Sequence, residues 1–137
     1  KGIMARKLVL LLAFVAAFCV AQTQSPTTGG MLNGRAWQTS PREARIMYIH
    51  GIQDGLVLAA ALIASKPDAT RLVRHTAPEF RPSDYIDEIN AFYQQKSNES
   101  IPIFYAWEYI NTKFKGAPQR QLDELMQTFR DYVKRHS

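Results

Sequence analysis

The stretch SPREARIMYIHGIQDGLVLAAALIA, Ser40 to Ala64, decides the fold class. Ser40-Pro41-Arg42-Glu43 has the form of a capping box with proline at the first helical position. The Ser40 hydroxyl can accept from the Glu43 amide while the Glu43 carboxylate accepts from the Ser40 amide, which satisfies two donors that a helix start leaves open. The helix begun there should run to about Ala64, where Ser65-Lys66-Pro67 stops it. Its second half, Leu56 to Ala64, is apolar all round, and such a helix is expected to be buried on every face. The expectation is a long first helix lying centrally among others.

Within it, Tyr48 to Leu56 (YIHGIQDGL) holds the residues that raise a question of function. Gly51 and Gly55 each cost a helix about 1 kcal/mol relative to alanine, so something should offset them. They share a face with Ala44, Tyr48, Leu58 and Leu62, and two small residues four apart let a backbone or a ring approach closely. A close helix crossing, with a ring from Trp107 or Phe104 seated there, is the first expectation, and a ligand groove the second. His50 and Asp54 also stand one turn apart. The pair suits either a histidine oriented by a carboxylate, as a general base needs, or a local structural hydrogen bond. Metal binding needs three or four ligands, and His75 and His136 fall in a loop and at the terminus, so no metal is expected.

Three further helices follow. The second starts near Pro82-Ser83-Asp84, with acidic residues in its first turns, and carries Tyr85, Ile86, Ile89, Phe92 and Tyr93 as one apolar stripe. The third opens at Ser100-Ile101-Pro102 and ends at Lys113-Phe114-Lys115-Gly116, with Phe104, Trp107, Ile110 and Phe114 facing inward. The fourth opens at Pro118 with a stripe through Leu122, Leu125, Met126, Phe129 and Tyr132 or Val133. A loop from Ser65 to Arg81 joins the first two; short connections make the others antiparallel neighbours. The result is an all-α compact bundle of about four helices, with Trp37 in a short N-terminal segment tucked against it. Ser40, Ser83 and Ser100 read as helix caps rather than nucleophiles.

Phe104 to Tyr109, FYAWEY, contains more rings than one core stripe needs. If Phe104 and Trp107 face inward, Tyr105 and Tyr109 fall on a second face. They then either serve a protein contact or cover another part of the chain.

The N-terminal end has the layout of a secretory signal peptide: basic Lys1, Arg6 and Lys7, an apolar run from Leu8 to Val20, and Cys19-Val20-Ala21 as a small-x-small site. Met4 suits an initiator, and cleavage is expected after Ala21. The 13-residue run is short for a bilayer, which asks for about 20 residues. Membrane contact is thus expected only through this segment before cleavage, and the product is exported, periplasmic or extracellular. Residues 22–33 read as a flexible linker and 34–137 as a single domain. Cys19 is the only cysteine, so no disulfide framework is expected.

Formal charge is +5; without Lys1, Arg6 and Lys7 it falls to 14 basic against 12 acidic residues. The remaining basic residues are scattered, which argues against nucleic acid as a partner. No nucleophile elbow, phosphate loop, zinc signature or dinucleotide fingerprint is present, and no catalytic residue or cofactor is assigned. Asn98-Glu99-Ser100 matches a glycosylation acceptor, expected to be a chance loop motif in a bacterial chain.

Tyr48-Ile49-His50-Gly51-Ile52-Gln53-Asp54-Gly55 has an aromatic-x-x-Gly-x-x-Asp-Gly pattern. With the proline-led helix from Arg81-Pro82-Ser83 to Phe92-Tyr93 and a helix of the Ile101 to Phe114 type, it resembles the periplasmic immunity proteins that protect bacteria from type VI secretion effectors. The resemblance covers about Trp37 to Gly116, and this chain lacks the cysteine pairs that flank those helices in that group. It implies an exported helical domain that binds a protein partner and catalyses nothing. The candidate binding residues are Tyr48, His50, Gly51, Asp54, Gly55, Tyr105, Trp107 and Tyr109. The alternative is a small ligand-binding or hydrolytic domain using His50 and Asp54 beside a glycine-lined groove.

Overall fold

The structure, a computed structural model, describes residues 25–63 and 81–136. The expectations for the signal segment, its cleavage site and Cys19, and for the Ser65–Arg81 loop with His75, lie outside the described residues, apart from Arg81. Among the described residues the order is β1 (Thr27–Thr28), β2 (Met31–Leu32), α1 (Gly34–Thr39), α2 (Arg42–Leu62), α3 (Pro82–Gln94), a 3-10 turn (Lys96–Asn98), α4 (Ile103–Phe114) and α5 (Gln119–His136). The all-α bundle and the long first major helix are present.

The core lies where α3 meets α4 and α2, with α1 closing one side. Tyr85, Ile86, Ile89 and Tyr93 of α3 are buried against Ile103, Ala106, Trp107 and Ile110 of α4, Ile49 of α2 and Trp37 of α1. The α3 stripe is the one its periodicity predicts. Trp37 is 1% exposed, and its indole N–H donates to Asn90 Oδ1 at 2.8 Å while the Arg45 guanidinium covers its ring.

The helix ends follow different chemistry from that expected at the serines. Ser40 does not cap α2. It ends α1, and its hydroxyl donates back to the Ala36 carbonyl at 2.7 Å, so α2 starts after Pro41 with no side-chain cap. The cause is α1 itself, which comes so close before α2 that Ser40 belongs to the helix it ends. At α3 the cap is the Asp84 carboxylate, which accepts from the Arg81 amide at 3.0 Å; Ser83 does not start that helix. Ser100 starts nothing either: its hydroxyl accepts from Arg35 and its carbonyl from Thr28. Gly116, at φ +76°, ends α4 as expected, with its amide on the Lys113 carbonyl.

Residues 25–33, within the expected flexible linker, are part of the fold. β1 and β2 pair antiparallel, and Thr28 and Asn33 are buried. The Asn33 amide donates to the Ser25 carbonyl and to Thr28 Oγ1, its Oδ1 caps α1 at the Arg35 amide, and Thr28 donates to the Ser100 carbonyl at 2.7 Å. This network joins the hairpin to the α3–α4 connection. Asn33 before a helix is an N-cap signal in sequence; the long-range Thr28–Ser100 bond has none.

Candidate functional site

Of the eight candidate binding residues, five lie on α2, four on its exposed side and Tyr48 half-buried, a division that spacing alone does not show. α2 places Ile49, Gln53 and Ala60 in the interior, with Ile46, Ile52 and Leu56 partly buried beside them. His50, Gly51, Asp54 and Gly55 all lie on the exposed side. Beyond the adjoining residues and backbone of α2 itself, no described atom comes within 4 Å of where a Cβ at Gly51 or Gly55 would sit, so neither the expected helix crossing nor a groove is formed there within the described residues. Tyr48 is half-buried, and burial pushes its phenol above the ordinary tyrosine value.

His50 and Asp54 are one turn apart, as expected. Among the described residues neither forms a hydrogen bond or ion pair, and no group of three or more His, Cys, Asp or Glu residues could hold a metal. Among the described residues the pair has no second-layer partner to orient the imidazole and no wall to exclude water, the two things a general base needs.

The aromatic surplus of FYAWEY is used within the fold. Tyr105 stacks on Phe129 of α5 at 4.6 Å with rings 5° apart, and meets Tyr132 edge-on at 5.1 Å. Its phenol is raised, by burial first and then by Tyr132 and Glu108. Tyr109 packs on Phe92 of α3 at 5.6 Å. Trp107 lies between Tyr85 and Phe104, 4% exposed, with its indole N–H buried and unpartnered among the described residues. These rings form the seams joining α4 to α3 and α5. The signal that could have shown this is in α5, where Phe129 and Tyr132 lie one turn apart and supply a facing ladder for Tyr105.

One cleft stands between α3, α4 and α5. It has a volume of about 490 Å³ and is lined by Phe92, Tyr109, Met126, Arg130 and the Glu88–Lys113 pair, which closes at 2.8 Å. Tyr109 is the candidate residue that contributes to it. The walls carry charges of both signs, and the lining contains no serine, threonine, cysteine or histidine.

The surface that stands out is the outer side of α2. Met47 is 68% exposed, Val57 56%, Leu58 60% and Leu62 75%. The expected burial of Leu56–Ala64 on every face therefore fails at Val57, Leu58 and Leu62. At 100° per residue Met47, Gly51, Asp54, Leu58 and Leu62 form one stripe, flanked by His50 and Val57. α2 is thus apolar on two opposite sides: one is spent on the core and the other faces outward. Sequence periodicity reports that both sides are apolar but not which one the bundle uses. Among the described residues no helix is long and apolar enough to cross a membrane. No family model, curated protein or solved structure matches the chain.

Proposed function

We propose that this chain is an exported, non-enzymatic protein-binding domain with an immunity-like role, and that its docking face is the outer side of α2. The observation that supports the reading is the row of Met47, Val57, Leu58 and Leu62, each more than half exposed on a helix whose other side is anchored in the core. Covering apolar area contributes about 25 cal/mol per Å², and a rigid helix carries little ordering cost on binding. Large apolar side chains clustered on one face mark an interaction surface more often than a solvated one.

Gly51 and Gly55 fit this role better than catalysis, since open glycines on a rigid helix let a partner's backbone come close. His50 and Asp54 then give polar register to an apolar contact. The apolar run Leu8–Val20 behind a basic start supports export.

The test is protection. Cells exporting the chain should survive a co-exported type VI effector that kills cells lacking it. A Met47→Asp, Leu58→Asp double variant should lose protection while its melting temperature stays close to that of the parent, because both positions are already exposed. Equal protection by that variant would remove the α2 face from the reading.

A further inference from the structure

We infer that the outer face of α2 pairs with the same face of a second copy of this chain, in an antiparallel crossing about a two-fold axis that passes the helix between Ile52 and Gln53. This rests on the reading of that face as a docking surface and makes a second copy its direct occupant, so that protection is a property of the dimer.

The argument is the self-complementarity of the stripe. In an antiparallel pair related by a two-fold axis, residues equally far from the axis stand level, and like flanks of the two helices meet. An axis at Ile52–Gln53 sets His50 of each copy level with Asp54 of the other. It sets Gly51 level with Gly55, Met47 with Leu58, and Ala44 with Leu62. The midpoint of each pair falls within half a residue of the axis, less than about 1 Å along a helix that rises about 1.5 Å per residue.

Each pairing is chemically matched. Glycine opposite glycine at the centre leaves only backbone there, and the space beside both glycines is open among the described residues. Close approach of the two backbones then offsets the helix-propensity cost of the glycines. Met47 against Leu58, and Leu62 over the small Ala44, cover three of the exposed apolar side chains of this face.

The polar pair decides for a second copy over an unrelated protein. His50 and Asp54 have no partner among the described residues, and they lie on the same flank of the stripe, His50 further round than Asp54. The two-fold operation brings a donor to an acceptor twice, with nothing supplied from elsewhere. A foreign partner would need its own complementary acid and base in this spacing.

The experiment is sedimentation of the full chain over a concentration series, read alongside the protection assay. A reversible dimer is expected. Gly51→Leu should weaken it at least tenfold by blocking the closest approach. Leu58→Asp, at a position already 60% exposed, should weaken it comparably and gives the same reading if Gly51→Leu perturbs the helix. His50→Glu should weaken it by placing carboxylates opposite each other, and His50→Glu with Asp54→Lys should restore it. A chain monomeric at every attainable concentration, or a dimer insensitive to both Gly51→Leu and Leu58→Asp, overturns the inference. If the chain is monomeric and Leu58→Asp still abolishes protection, the second copy is excluded and the docking face for another protein stands. If the dimer responds as expected and protection does not, the second copy stands and the face is not the effector's.

Discussion

Gly34 in α1 and Gly51 in α2 are both helical glycines, and they mark opposite kinds of surface. A Cβ at Gly34 would overlap the ring of Tyr93, which is 1% exposed and hydrogen-bonded through its hydroxyl to the Ile101 carbonyl. A Cβ at Gly51 would meet nothing among the described residues. The N-terminal region, polar and short of hydrophobic residues, is held tightly in place. The outer side of α2, rich in leucine and valine, faces outward. A polar segment is held by many specific bonds, whereas an apolar helix side is held only if something is packed against it.

The N-terminal region is where substitution should cost most. Trp37→Ala removes a fully buried ring along with its bond to Asn90 and its contact with Arg45. The expected loss is about 3–5 kcal/mol, measured by denaturant unfolding. A loss no larger than that of an exposed site would mean α1 frays from the bundle.

Gly34→Ala should follow, with a loss of about 1–3 kcal/mol from overpacking, because the Tyr93 ring cannot move aside without giving up its hydroxyl bond. Helix propensity alone predicts the opposite sign, so this substitution tests packing directly.

Most of what positions these contacts was legible in the chain. The stripes of α3 and α5 are single-sided, so periodicity shows both that they are buried and which residues are buried. The glycine stop at Gly116 needs only local geometry. Ser40, Ser83 and Ser100 misled because a serine near a proline resembles an N-cap whether or not a helix has just ended. The N-terminal hairpin was invisible because its bonds to Ser100 join residues 72 apart in sequence. The candidate site was legible as residues but not as a place. His50, Gly51, Asp54 and Gly55 do share one side of α2, yet a helix apolar on two sides does not announce which side is covered. Asn98 shows the limit of motifs: it sits in a glycosylation acceptor sequence, but it is 3% exposed and its amide donates to the Phe92 carbonyl at 2.9 Å.

Alkaline titration gives a smaller effect on the same contrast. Burial, and then the neighbouring Tyr48, push the Tyr93 phenol far above its ordinary value of 10.0. The unfolded chain therefore ionises this group first, and the stability linked to it is fully present below about pH 10 and lost as pH rises beyond that. The slope added by one such group is at most about 1.4 kcal/mol per pH unit. Tyr93→Phe should flatten the alkaline unfolding curve, whereas substitution of exposed α2 residues should leave its shape unchanged.

The smallest expected effect carries the sharpest contrast. Gly51 and Gly55 have negative φ inside a helix and, among the described residues, open space around them. In the isolated chain Gly51→Ala and Gly55→Ala should each stabilise by about 0.5–1 kcal/mol, through helix propensity and a less flexible unfolded state. The same change at Gly34 should destabilise. If the two copies approach as inferred, an added methyl at Gly51 meets the partner's Gly55 region, and the gain seen at low concentration should shrink or reverse as association sets in. Melting each variant at several concentrations separates the two contributions, since only the association part depends on concentration. A constant gain at all concentrations would mean that these glycines face only solvent. Their cost to α2 would then be offset by nothing among the described residues.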